Sequence, residues 1–187
     1  MYPRSKKLSP DDVIKEADAL GYQHVEHTFE PVFDEHSKVL ILGSFPSVKS
    51  REEGFYYGHP QNRFWRLLAR LTEEEIPETI EEKKTLLLKH QIAIWDVVHS
   101  CDIVGSSDSS IKNVVPCELE KVLSSSPIRQ IYANGGKAWQ LYHRYCEKET
   151  GREAVKLPST SPANAIFTLD RLTAVWGEEL FGKQNTK

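Results

Sequence analysis

Apolar residues in this chain recur in two rhythms. Four short runs, residues 39–42 (VLIL), 92–98 (IAIWDVV), 130–133 (QIYA) and 155–157 (VKL), have the length and composition of buried strands. Longer stretches space apolar residues three and four apart, as one face of a helix does. Phe64, Leu67, Leu68 and Leu71 form one such set, with Asn62 before them as a helix cap. Leu86, Leu87 and Leu88 give the apolar side of a second helix, opened by a Thr79–Glu82 capping box and ending near His90. Further helices are predicted from Pro116 to about residue 123, over 137–145 and over about 166–181. At the start of the chain Ser9 reads as a cap, Pro10 as the first helical residue and Gly21 as the stop. Between them Val13, Ile14, Ala17 and Leu20 make an apolar face. Residues 22–33 have room for a short edge strand before Pro31.

Strands alternating with helices predict an α/β sandwich around a mainly parallel sheet. Three of the strands run into loops with polar or aromatic content, at Gly43, Asn134 and Pro158. In a parallel sheet such loops share one edge, where α/β proteins bind ligands. The first of these loops is long, and long loops inside compact chains are usually functional. It contains no G-x-G-x-x-G and no G-x-x-x-x-G-K-[ST], so neither a dinucleotide nor a P-loop cradle is written there. It carries instead a tight Gly43-Ser44-Phe45-Pro46-Ser47 turn, three consecutive aromatics (Phe55, Tyr56, Tyr57), then His59, Pro60, Asn62 and Arg63. Aromatic faces beside an amide suit a flat heterocycle that is stacked and then read along its edge. Half-burial of Tyr56 and Tyr57 at the base of the loop accounts for them equally well. Asn134, at a strand end, is placed to read a base edge or to serve as a helix cap or turn residue before Gly135-Gly136.

These segments resemble the uracil-DNA glycosylase superfamily, in layout the mismatch-specific uracil/thymine glycosylases. Gly43-Ser44-Phe45-Pro46-Ser47 falls on the first motif of that family and His59-Pro60-Gln61-Asn62-Arg63-Phe64-Trp65 on the second. The branch of hypoxanthine-DNA (deoxyinosine) glycosylases matches more closely, because Leu157-Pro158-Ser159-Thr160-Ser161-Pro162-Ala163-Asn164 reproduces its last motif. The resemblance spans roughly residues 29–176. It implies a three-layer α/β/α sandwich around a mainly parallel four-stranded sheet, in a single glycosylase domain with residues 1–28 as a helical extension. It also implies removal of a deaminated base, hypoxanthine first, from double-stranded DNA by hydrolysis that leaves an abasic site. A uracil or mismatch glycosylase, and a non-catalytic lesion- or nucleotide-binding module, are the alternatives.

Resemblance also distributes roles. Gly43, Ser44 and Phe45 would bind the flipped base, Tyr57 would stack on it and Asn134 would read it. The catalytic Asp or Asn usual in the first motif is replaced by Phe45, which cannot orient water. Asn62 in the second motif is the expected catalytic amide, with Asp96, Asp102, Asp108 and His59 as substitutes. Lys49, Arg51 and Arg63 would meet phosphates, as would Ser159, Thr160 and Ser161, while the loop through Ala163 and Asn164 would enter the minor groove. No lysine after the first strand suggests a Schiff base, so a monofunctional enzyme is expected.

Bulk properties change this picture little. The chain has 187 residues, 39% hydrophobic and 27% charged, enough for one domain with a real core. No apolar run approaches a membrane span and no signal peptide is evident, so a cytoplasmic, monomeric protein is expected. Cys101, Cys117 and Cys146 are widely spaced reduced thiols with no zinc-like spacing, and neither metal nor cofactor is expected. The net charge of −3 argues against a protein coated in positive charge, but leaves room for a local basic face around the central loop.

Overall fold

The computed structural model describes residues 21–182. The predicted N-terminal helix and its cap at Ser9 lie outside the described residues. Among the described residues, seven strands form two sheets. The larger is parallel and contains β2 (Val39–Gly43), β3 (Ile92–Asp96), β6 (Gln130–Asn134) and β7 (Ala154–Leu157), in the order β3-β2-β6-β7. All four predicted strands are therefore present. β2 and β3 are buried along nearly their whole length, as strands covered on both faces must be, which is why they read as unbroken apolar runs. In register, Gly43 pairs with Asp96 and Asn134 with Leu157, so the carboxyl ends of the strands share one edge.

Helices flank this sheet. Those that position the edge are α1 (Val48–Glu53), α2 (Phe64–Thr72), α3 (Ile80–Lys89) and α4 (Glu120–Leu123), then α5 (Gly136–Tyr145), α6 (Glu147–Thr150) and α7 (Leu169–Leu180). Helix α2 buries Phe64, Trp65, Leu67, Leu68 and Ala69 while Arg66 and Arg70 stay exposed, so its apolar face is anchored over the core. Each such large side chain contributes about 1.5–3 kcal/mol on burial. Helix α3 has the predicted capping box, with both the Thr79 and the Glu82 side chain bonded to backbone N–H groups.

The second sheet is antiparallel, β1 (Gln23–Glu26), β4 (Val98–Ile103) and β5 (Lys112–Pro116), in the order β1-β4-β5. The short edge strand expected within 22–33 is β1. The rest corrects the sequence reading. The run 92–98 is two strands in two sheets, divided at Val97, whose N–H bonds to the Gly43 carbonyl at 2.9 Å. Residues 101–115, which are rich in Ser, Asp and Gly and read in sequence as a loop, are the end of β4, a 3-10 turn at Asp108–Ser110 and most of β5. Bulges at Ser100 and a left-handed Asn113 break the alternation by which a strand would be recognised. Pro116 closes β5 rather than opening a helix, and the last helix starts at Leu169 behind a Thr168 cap. Within the long loop, Ser47 accepts from the Ser50 N–H and so starts the unpredicted α1.

Candidate active site

The loops at the carboxyl edge enclose a pocket of about 300 Å³, within the range of small-molecule sites. Gly43, Ser44, Phe45, Tyr57, Asn62, Asp96, Asp108, Asn134 and residues 159–163 all line it. Convergence of the three strand-end loops, expected from the alternation of strands and helices, is thus present.

One wall is a closed hydrogen-bond chain. Asn134, buried at the end of β6, donates through Nδ2 to Thr160 Oγ1 at 2.9 Å and accepts the Thr160 N–H at 3.0 Å through Oδ1. The Thr160 hydroxyl then donates to Asn62 Oδ1 at 2.9 Å. That oxygen also accepts the Phe64 N–H at 3.0 Å, the first turn of α2. Arg63 holds the formal cap position, but the capping side chain is Asn62. Both lone pairs of Asn62 Oδ1 are therefore engaged, which leaves the Nδ2 hydrogens as the part of the amide free for a ligand. Asn134 does not cap α5, whose cap is Gly135. A Cβ on Gly135 would sit 2.9 Å from Ser159 Cβ, so only glycine lets the 158–167 loop pack this close.

Arg63 secures the same wall. Its guanidinium donates to four carbonyls: Thr160 at 3.2 Å, Ser161 at 2.5 Å, Asn164 at 3.0 Å, and Phe167. Burial lowers its pKa. Four of five donors are committed, so Arg63 is a clamp on the loop and not the free phosphate contact expected of it. Thr160 has no exposed surface and its hydroxyl is spent within the wall, so it is not a phosphate contact either. Asn164 ties the loop to itself through the Ser159 carbonyl at 2.9 Å. Ser159 and Ser161 accept backbone N–H groups of Ser161 and Ala163, while their positions at the pocket edge remain accessible. Trp176 Nε1 holds the Pro158 carbonyl at 2.9 Å.

The floor is built differently. Asp96, at the end of β3, is 4% exposed and accepts from or shares a proton with His27 Nε2 through Oδ2 at 2.8 Å. A Cβ on Gly43 would lie 2.2 Å from Asp96 Oδ1 and 3.4 Å from Tyr57 Oη. Glycine is needed there for the carboxylate to reach the pocket. The Tyr57 ring stacks on Phe64, centroids 3.8 Å apart, and its backbone is left-handed with φ 55°, an uncommon conformation for a bulky residue. Its hydroxyl is buried without a hydrogen bond of normal geometry. Burial, then the nearby Asp96, pushes the Tyr57 pKa far up, and the Asn134 amide only partly offsets this. Tyr56 is core, 2% exposed, with its hydroxyl on the Glu30 carbonyl at 2.9 Å.

At the mouth, Ser44 Oγ donates to Asp108 Oδ1 at 2.8 Å. Asp108 is an exposed residue, yet the protein around its carboxyl raises its pKa by desolvation, against the Ser44 bond. Phe45 is buried and forms an apolar wall. Arg51 bonds the Gly105 carbonyl at 3.0 Å and lies over Phe45, with Nε buried and unpartnered, while Lys49 is exposed and paired with Glu52 at 3.0 Å. His59 lines the pocket from an exposed position. Asp102 does not line it: it pairs with His24 and Asn113 in the second sheet, and those contacts hold its carboxyl below the usual range. Sequence reasoning missed His27, which directly follows β1 and packs its ring against Phe29, Phe45 and Tyr56. It also missed Ile166, which is 75% exposed on the loop beyond Asn164. Among the described residues no three His, Cys, Asp or Glu side chains come together as a metal site, and no helix is long and apolar enough to cross a membrane.

The α/β domain thus carries at its strand ends a pocket of about 300 Å³, walled by amides and a carboxylate. The Uracil DNA glycosylase superfamily matches residues 30–178 of the chain. A curated relative from Methanosarcina acetivorans, named hypoxanthine DNA glycosylase, is 36% identical over 149 residues, 79% of this chain and 93% of its own. A second of that name from Methanosarcina barkeri is 32% identical over 152 residues, covering 80% and 94%. The solution NMR structure of a Methanosarcina acetivorans protein described as a candidate uracil DNA glycosylase superposes with a TM-score of 0.69 at 33% identity, covering 84% of this chain and 97% of that one. The chain belongs to the uracil DNA glycosylase superfamily, and DNA is its partner. It is a DNA glycosylase, a hydrolase of N-glycosidic bonds.

Proposed function

We propose that this protein excises hypoxanthine from double-stranded DNA, hydrolysing the bond between C1′ and the base of deoxyinosine and leaving an abasic site. The observation that carries the reading is the fixed presentation of Asn62 beside the pocket, in a chain whose first motif offers only Phe45. The names of the two archaeal relatives support hypoxanthine as the base.

Removing the base means breaking the C1′–N bond, whose electron pair leaves with the base, and capturing the cationic sugar with water. A sugar cation traps neutral water, so no strong base is required. With Asn62 Oδ1 engaged by Phe64 and Thr160, its Nδ2 hydrogens hold the water by one lone pair and leave the other for C1′. The one proton released on addition ends on the departing base, which left as its anion, by way of solvent. An amide is a weak catalyst compared with a positioned carboxylate, so turnover is slow. Tyr57, backed by Phe64, covers the base; Asn134 keeps one N–H for its edge. Lys49, Arg51, Ser159 and Ser161 meet the backbone, and Ile166 is the apolar side chain free to enter the stack where the base has left. The enzyme works as a monomeric single domain in the cytoplasm, a compartment consistent with three free, buried cysteines.

Single-turnover excision from duplexes carrying inosine, uracil, xanthine or a G:T mismatch, each followed by alkali, tests this. Inosine is expected to react fastest. Uracil or mismatched thymine reacting fastest assigns the protein to the other branch, and binding without strand loss in any duplex removes the catalytic reading.

A further inference from the structure

A pocket that takes a deaminated base must tell it from its parent. We propose that Asp96 is a specificity-determining residue that accepts the ring N–H which deamination creates. This rests on the pocket receiving a flipped base.

Three features of the floor point there. Asp96 is buried and lines the pocket, with one oxygen fixed by buried His27 at 2.8 Å. Its other oxygen, Oδ1, has no hydrogen-bond partner among the described residues. Gly43 has no side chain where a Cβ would lie 2.2 Å from that oxygen, so the approach to Oδ1 is kept open by sequence. The Tyr57 hydroxyl beside the same point is likewise buried and unpartnered, so two neighbouring polar groups of the floor are left unsatisfied by the protein.

A carboxylate can only accept. Adenine presents a lone pair at N1 and an amino group at C6. Hypoxanthine presents N1–H and a carbonyl. Uracil differs from cytosine in the same way at N3. Seated against Asp96, the deaminated base donates its ring N–H in a charge-assisted bond, and the parent sets a lone pair against a fixed negative charge. A site built to bond a particular N–H rejects the analogue lacking it more strongly than a shape-fitting pocket can. Guanine shares the N1–H, so Asp96 separates 6-oxo from 6-amino purines, and uracil from cytosine, and does not itself reject guanine. His27 acts through Asp96, as a positioning residue.

The test is titration of wild type and Asp96→Asn with free hypoxanthine and free adenine, followed by ligand-observed NMR. Wild type should prefer hypoxanthine by at least about tenfold. The asparagine, which can turn either an oxygen or an N–H to the ring, should bring the two within about threefold of one another. His27→Gln, which keeps a donor for Oδ2, should retain most of the preference, whereas His27→Ala should lose it. Equal binding of the two bases by wild type overturns the proposal, as does an unchanged preference in Asp96→Asn. The wild-type comparison stands whatever the stability of the variants. Inosine-duplex cleavage by wild type is run beside it. Its failure would count against the proposed reaction, while the base titration still judges Asp96.

Discussion

The two sides of the pocket follow opposite hydrogen-bonding plans. On the wall, Asn62, Thr160 and Asn134 satisfy one another and the backbone, and Arg63 spends four donors on the loop behind them. On the floor, Asp96 keeps an oxygen open and Tyr57 a hydroxyl unbonded. A buried polar group left unsatisfied costs about 1–3 kcal/mol, so the floor is retained against its own stability. The wall's mutual bonds leave only amide N–H groups for a ligand, and the floor leaves a carboxylate oxygen and a hydroxyl. Substitutions in the wall should therefore injure fold and rate together, and substitutions in the floor should alter selectivity.

The largest expected effect is at Arg63. Removing its guanidinium leaves the Asn164 and Phe167 carbonyls without a donor, while those of Thr160 and Ser161 keep only backbone N–H groups, and it releases the loop; Arg63→Ala should lower unfolding free energy by about 2 kcal/mol or more. Lysine, without the planar fork, should rescue little of it. Denaturant titration measures both; a loss under about 0.5 kcal/mol, typical of a surface residue, would return Arg63 to the DNA-facing set.

Next come Asn62 and Thr160. Asn62→Ala should cut single-turnover excision by roughly tenfold or more, at the low end of a positioned group's contribution, while inosine-DNA binding persists. Thr160→Val leaves Asn62 and Asn134 each short of a partner. It should cost about 1–3 kcal/mol of stability and slow excision in parallel. Parent rates in Thr160→Val would show that the chain does not orient Asn62.

A smaller effect separates Lys49 from Arg63. Each lost phosphate contact lowers the log–log slope of DNA affinity against salt by about one unit. Lys49→Ala should do so and Arg63→Ala should not. An unchanged slope for Lys49→Ala moves the basic face away from α1.

The smallest concerns Asp108 at the mouth. Its pKa is raised in the folded state, chiefly by desolvation, so ionisation is disfavoured on folding. The sign follows: any stability it lends exists at pH below the ordinary carboxylate value and is lost as pH rises through the folded value. Asp108→Asn should therefore be modestly more stable than wild type near about pH 7, with the gap closing by about pH 3.5. A wild type that gains on the variant with rising pH contradicts the desolvated carboxyl.

What the sequence made legible follows the same division of regions. The parallel strands were readable because burial on both faces leaves runs such as VLIL, and α3 because Thr79 and Glu82 announce its start. In the antiparallel sheet the short edge strand β1 was, but the β4–β5 pair was not, because bulges at Ser100 and the left-handed Asn113 interrupt its alternation. Asn62, Asn134 and Thr160 were found through motifs, but their mutual bonds were not, since they link residues 26 and 98 positions apart. Arg63 was misread for a general reason: composition shows a charge, and only packing shows where its donors go. His27 lies before the first motif and reaches Asp96 across 69 residues, a contact no local pattern encodes.

Release of free base from an inosine duplex, followed by chromatography without alkali, tests the central claim most directly. Free hypoxanthine should accumulate in step with abasic sites while the strand stays whole until alkali is added. Intact deoxyinosine after prolonged incubation with excess protein, or strand breaks at the lesion without alkali, would contradict it.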